Sequence, residues 1–171
     1  MLYDENVVNT IKDILSQRKQ TIAVAESVTA GHLQAALSSA IEASQFFQGG
    51  ITAYNLGQKC RHLQVDPITA EGCDCVSEEV ARTMALHVNT LFTSHYSIAI
   101  TGYAAKMPEK GMNELFAWYA IAFNNRLICS ERLSTGKERV EAQVDYTKQV
   151  LQKFLETLQK QVRVEDVAVG D

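Results

Sequence analysis

The residues able to do covalent chemistry stand just behind short apolar runs. Ser27 follows Thr21-Ile22-Ala23-Val24-Ala25 by one acid and opens the polar turn Ser27-Val28-Thr29-Ala30-Gly31. A serine between a buried strand and a helix start has its hydroxyl near free backbone N–H groups, which can bind an anion or hold an oxyanion. The same position equally suits Ser27 or Thr29 as a plain helix cap. Lys59 lies five residues beyond Tyr54. A lysine kept partly out of water can lose its proton and act as base for a serine nucleophile, whereas on a solvated surface it is only a charge. Cys60, His62, Cys73 and Cys75 form a third group. Zinc sites usually place two or more residues between paired cysteines, and Cys73-Asp74-Cys75 has one, so the spacing favours ordinary thiols over a metal. Gly136-Lys137-Glu138-Arg139 either touches a phosphate or begins a solvated helix.

The elements that must position these groups follow from hydrophobic periodicity. Val7, Ile11, Ile14 and Leu15 recur at helical spacing, which predicts a helix over roughly 4–18. The β-branched run at 21–25 suits a buried strand. Leu33, Ala36, Leu37 and Ala40 give a second helix; Gly49-Gly50 opens an extended piece over 51–54, and a short helix spans about 58–63. Pro67 marks a loop or a fresh helix start. Ser77-Glu78-Glu79 reads as a capped helix N-terminus, with Val80, Met84, Val88 and Leu91 as its buried stripe. A third strand covers 96–101, a loop 103–113, and a hairpin 115–123 with 127–133 turns at Asn124-Asn125. A long helix carrying Val140, Val144, Val150, Phe154, Leu155 and Leu158 closes the chain, and 162–171 read as a weakly patterned tail.

Strands alternating with helices predict an α/β fold: a three-layer α/β/α sandwich with a mixed sheet, formed as a single domain over 1–171. Ligands gather at the carboxyl edge of such sheets. Three small, polar loops fall there, after Ala25, Tyr54 and Thr101, and their convergence is the clearest pointer to a site.

Composition bounds the function. The net charge of −4 in 171 residues argues against a nucleic-acid binder, which needs surplus Lys and Arg to displace counterions. No apolar run approaches the roughly twenty residues of a membrane span. The start, MLYDENVVNT, lacks a basic segment and an apolar core, so no signal peptide is expected. Four cysteines without a secretion signal are expected as reduced thiols, and the cytoplasm follows by elimination.

Several strings in fixed order carry a resemblance. Ala25-Glu26-Ser27-Val28-Thr29, Phe47-Gln48-Gly49-Gly50-Ile51-Thr52-Ala53-Tyr54 with Lys59 behind it, Val76-Ser77-Glu78-Glu79-Val80-Ala81 with Met84-Ala85, and Ile100-Thr101-Gly102 resemble the CinA C-terminal domain family, from about Thr21 to Glu141. The resemblance implies a nicotinamide-nucleotide amidase: hydrolysis of the carboxamide of nicotinamide mononucleotide to nicotinate mononucleotide and ammonia, without metal or organic cofactor. It implies a small-molecule pyridine nucleotide as partner, neither nucleic acid nor membrane, and leaves a homo-oligomer open. Carried over, Ser27 is the nucleophile, Lys59 its base and Tyr54 a third catalytic group that positions substrate or relays protons. Thr29, Gly31, Ser44, Thr101 and Lys137 are the expected substrate contacts.

The chain also departs from the family pattern. Ala30 replaces a glycine, Tyr103-Ala104-Ala105-Lys106-Met107-Pro108 replaces a glycine-rich Gly-Pro loop, and paired arginines become Lys137 and Glu141. Losing glycine reshapes a phosphate cradle, and an acid in place of arginine repels phosphate. Lys106 and Lys110 are the cations available to compensate. The alternative reading is therefore a diverged, non-catalytic paralogue that binds a ligand or partner.

Overall fold

The computed structural model describes the backbone of residues 2–168 and the side chains of residues 2–161. Six α-helices and five strands alternate along it: α1 (Glu5–Gln17), β1 (Ile22–Glu26), α2 (His32–Ser38), β2 (Phe47–Thr52), α3 (Leu56–Leu63), α4 (Pro67–Gly72), α5 (Glu78–Leu91), β3 (Tyr96–Gly102), β4 (Leu115–Phe123), β5 (Arg126–Thr135) and α6 (Arg139–Ala168). The helices start where side chains can satisfy their free N–H groups. Asp4 accepts from Asn6 and Val7, Asp66 from Thr69 ahead of Pro67, and Ser77 from Val80, the last as the sequence predicts.

The sheet runs β2-β1-β3-β4-β5. β2, β1 and β3 are parallel, while β4 and β5 return antiparallel, so the sheet is mixed. Its two faces differ in side-chain size. Ile22 and Val24 of β1, Ile98 and Ile100 of β3, and Tyr119 and Ile121 of β4 face α1, α2 and α6. Ala23, Ala25, Ala99, Ala120 and Ala122 face the other way, under α3, α4 and α5. Alternation along each strand therefore builds one bulky face and one alanine face. The alanine face lets α5 lie close enough for Ser97 Oγ to donate to the carbonyl of Ala85 at 2.7 Å. The result is the expected three-layer α/β/α sandwich.

Four details differ from expectation. Leu91, expected in the buried stripe of α5, is 55% exposed at the helix end. β2 begins at Phe47, so Gly49-Gly50 lies within the strand rather than before it, and Tyr54 lies beyond its end. The strand needs glycine there: a Cβ on Gly50 would stand 2.6 Å from Val24 Cγ2 and 2.7 Å from its carbonyl oxygen. The 103–113 loop contains a single 3-10 turn at Pro108–Lys110, closed by a bridge between Met107 and Met112. Finally, α6 continues to Ala168, so most of the expected tail has helical backbone, and its last three residues lie outside the described ones. Asn124 and Asn125 turn the hairpin as anticipated, both at positive φ (48° and 60°), which asparagine tolerates. Among the described residues no helix is long and apolar enough to cross a membrane.

Candidate active site

The strand β1 delivers Ser27 to the carboxyl edge of the sheet. Its last pairings hold the chain on both sides: Ser27 N–H donates to Ile100 O at 3.0 Å, and Ala53 N–H donates to Glu26 O at 2.9 Å. The backbone then turns sharply, with Ala30 N–H donating to Ser27 O at 3.1 Å, Ala30 at φ 49° and Gly31 at φ 102°. Only the glycine takes that last value without strain.

What fixes this turn is Glu26, which is fully buried. Its carboxylate accepts from Gly31 N at 3.1 Å, Leu33 N at 2.9 Å, Gln34 N at 2.7 Å and Thr29 Oγ1 at 2.5 Å. An acid at a helix N-terminus meets both free N–H groups and the positive end of the dipole. Neither Ser27 nor Thr29 caps α2; Glu26 does. Ser27 is thereby left free of structural duty on the helix. Among the described residues no acceptor is found for the backbone N–H groups of Val28 and Thr29, directly after the serine.

Lys59 comes from the first turns of α3, whose N-cap Asn55 accepts from Gln58 N at 3.0 Å. The side chain is only 2% exposed. Its Nζ donates to Ser27 Oγ at 2.8 Å and to the carbonyl of Tyr54 at 3.3 Å. Neither acceptor is charged. Burial lowers the Lys59 pKa, and the negative character of Cys75, Asp74 and Cys60 offsets part of that effect. A buried ammonium supported only by neutral acceptors loses its proton more easily than one in water.

Ser27 and Lys59 open on a cavity of about 360 Å³ that is also lined by Val28, Tyr54, Asp74, Thr101 and Tyr103. Tyr54 is 65% exposed, so its ring stands at the mouth, while its backbone holds Lys59. Thr101 is buried, and its Oγ1 donates to Cys75 O at 2.7 Å, which ties the far wall to β3. The four residues Ser27, Tyr54, Lys59 and Thr101 thus share one cleft, as the strand-end loops predict.

The other expected substrate contacts are not brought there. Thr29 is buried against Glu26 and Gly31 is engaged by it, so both shape the turn. Ser44 is exposed in the single turn Ala43–Gln45 that leads into β2, at the opposite edge of the sheet. Lys137 pairs with Asp145 at 2.9 Å. Glu141 is exposed in the first turn of α6. Sequence reasoning missed Glu26, Asp74 and Tyr103 as site-forming residues. Glu26 carried a signal, since an acid inside the buried run Ile22–Glu26 must find donors. Among the described residues, no three His, Cys, Asp or Glu side chains converge to hold a metal.

The molecule is thus a three-layer α/β protein with a mixed five-stranded sheet and a buried serine–lysine contact at the sheet's carboxyl edge. The chain belongs to the CinA C-terminal domain family, which matches residues 4–158. A CinA-like protein of Synechocystis is 40% identical over 111 residues, 65% of this chain and 26% of that protein. One from Picosynechococcus is 43% identical over 94 residues, 55% of this chain and 22% of that protein. The chain thus matches about a quarter of the length of these relatives. Among solved structures, a CinA superfamily protein of Klebsiella pneumoniae superposes with a TM-score of 0.84 at 26% identity, covering 91% of this chain and 98% of that one. A competence-damaged protein (CinA) superfamily member of Escherichia coli gives 0.80 at 25% identity, covering 90% and 89%.

Proposed function

We propose that the chain is a serine–lysine amidohydrolase that cleaves the carboxamide of a pyridine nucleotide, with nicotinamide mononucleotide as the reference substrate. The observation that carries this reading is the 2.8 Å contact between a buried Lys59 Nζ and Ser27 Oγ. In its neutral form Lys59 accepts the Ser27 proton, and the alkoxide attacks the carboxamide carbon. The developing oxyanion takes its hydrogen bond from the backbone N–H of Val28, a residue that lines the cavity and whose N–H has no acceptor among the described residues. The protonated Lys59 then donates to the departing nitrogen, which leaves as ammonia. Water, deprotonated in turn by Lys59, hydrolyses the acyl-serine to the carboxylate. Tyr54, at the mouth, positions the ring of the substrate. No metal or organic cofactor takes part.

The experiment is ammonia release from nicotinamide mononucleotide by the purified chain, beside Ser27→Ala. Release that persists unchanged in Ser27→Ala removes the nucleophile assignment. The second reading, a binding protein without turnover, is favoured by Lys137, whose charge is engaged by Asp145 rather than free for a phosphate. It replaces the first if the nucleotide binds and no ammonia appears.

A further inference from the structure

The charges around the cavity are distributed unevenly. Among the described residues that line it, Lys59 is the only basic side chain and Asp74 the only acidic one. Lys59 lies buried behind Ser27, but Asp74 is exposed on the wall. The wall is held firmly at that point. Asp74 and Cys75 take left-handed backbone conformations (φ 52° and 60°), uncommon for residues other than glycine. Cys75 N–H donates to Ala70 O at 2.7 Å, and Cys75 O accepts from the Thr101 hydroxyl at 2.7 Å. Strained, clamped backbone of this kind clusters at ligand sites.

Beside Asp74 stands Tyr103, whose hydroxyl is pushed up to about 12 by burial first and then by the Asp74 carboxylate. Tyr54 lines the same cavity. Arg139, whose backbone N–H donates to Ala104 O at 2.5 Å, is exposed and does not itself line the cavity. The other basic side chains nearby are engaged or lie in a separate cleft. Lys106 pairs with Glu138 at 3.6 Å and Lys137 with Asp145 at 2.9 Å. Lys110 and Arg132 belong to a separate cleft that shares Tyr103, where Arg132 lies 4.2 Å over the Phe116 ring.

We propose that Asp74, with the rings of Tyr54 and Tyr103, selects a cationic carboxamide that carries no phosphate: an N-ribosyl or N-alkyl pyridinium carboxamide in preference to its 5′-phosphate. This rests on the serine–lysine amidohydrolase reading and moves its preferred substrate from the reference nucleotide to the phosphate-free carboxamide. A pyridinium cation is attracted both by the carboxylate and by the faces of the tyrosine rings. A phosphomonoester adds a charge of about −1.5 to −2 at neutral pH, and among the described residues lining the cavity the one exposed charge is negative.

The test measures binding of nicotinamide riboside and of nicotinamide mononucleotide to the full chain carrying Ser27→Ala, by calorimetry, so that turnover plays no part. The riboside is expected to bind more tightly by up to about fivefold, the upper factor for one exposed charge contact in a water-like medium. Adding Asp74→Asn, which keeps the shape and tolerates a left-handed backbone, is expected to bring that preference close to one. Equal binding, tighter binding of the phosphate, no binding of either compound, or a preference untouched by Asp74→Asn each overturns the proposal. Ammonia release by the unmutated chain is followed separately. Its absence with both compounds, alongside the binding preference, defeats the amidohydrolase reading alone.

Discussion

Glu26 and Lys59 are two buried, ionisable side chains on opposite sides of the same serine, and they are treated in opposite ways. Glu26 collects three backbone N–H groups and one hydroxyl at the positive end of α2. Lys59 has two uncharged acceptors, one of them the serine itself. The first charge is fully supported and serves as an anchor. The second is under-supported, so burial drives its pKa down and its proton becomes available. The contrast separates a structural ion from a reactive one without reference to conservation: what matters is how far the desolvation of each is repaid by its neighbours.

The largest expected effect breaks the reactive side. Ser27→Ala and Lys59→Ala are each expected to lower turnover of a pyridine carboxamide by roughly 10⁴-fold or more, because a nucleophile and its base act as a unit. The double variant should lose little beyond either single one. A double variant whose loss equals the product of the two single losses would show that they act independently, and the pairing would be abandoned.

On the anchored side, the damage should appear in stability. Glu26→Ala removes the acceptor of four donors at a fully buried position, with an expected cost of about 3–5 kcal/mol. Urea unfolding reads this directly. A cost below about 1 kcal/mol would mean that water replaces the carboxylate and that the turn does not depend on it.

Lys59 is expected to behave in the reverse sense. Lys59→Met should be neutral or stabilising by about 1 kcal/mol at neutral pH while abolishing activity, the exchange expected where a site is built at the expense of stability. The pH dependence sharpens this. Because the folded pKa of Lys59 lies below its ordinary 10.5, the unfolded chain binds more protons between those two values. Stability contributed by this group therefore rises with pH through that window, and Lys59→Met should remove the rise. Parallel slopes for both proteins in alkaline urea titrations would contradict the assignment.

How much of this was legible in the sequence follows from the same contrast. The strand ends were readable because β-branched and apolar runs stop at polar turns, and those ends placed Ser27, Tyr54, Lys59 and Thr101 together. The hairpin was readable because Asn124-Asn125 suits the positive φ values its turn requires. β2 was misplaced because Gly49-Gly50 resembles a boundary, whereas these glycines sit inside the strand, and Gly50 packs closely on Val24. Glu26 was overlooked because an acid beside a polar turn looks solvated; its burial comes from the return of α2 over the strand end. Asp74 and Tyr103 were hidden for another reason. They lie in loops before α5 and after β3, and only the folded sheet brings those loops face to face.

A third carboxylate sets the lower end of the scale. Asp145 is partly exposed, at 22%, beside a Lys137 that is 54% exposed. Burial pushes its carboxyl up, but hydrogen bonds from Lys137 at 2.9 Å, Thr135 at 2.8 Å and Gln149 at 2.9 Å outweigh this and hold it below the ordinary 3.8. Solvent screens the ion pair, so Asp145→Asn should cost only about 0.5–1 kcal/mol at pH 7. A carboxyl with a depressed folded pKa contributes stability that is present above its unfolded value and is lost as pH falls through the folded one. The cost of Asp145→Asn should therefore shrink as urea unfolding is repeated from pH 7 towards pH 3. A cost independent of pH would assign the effect to the neutral hydrogen bonds of Thr135 and Gln149 rather than to charge. The same variant also releases Lys137. If binding of nicotinamide mononucleotide then tightens while that of the riboside does not, the freed ammonium reaches the phosphate, and its engagement by Asp145 is part of what keeps phosphate out.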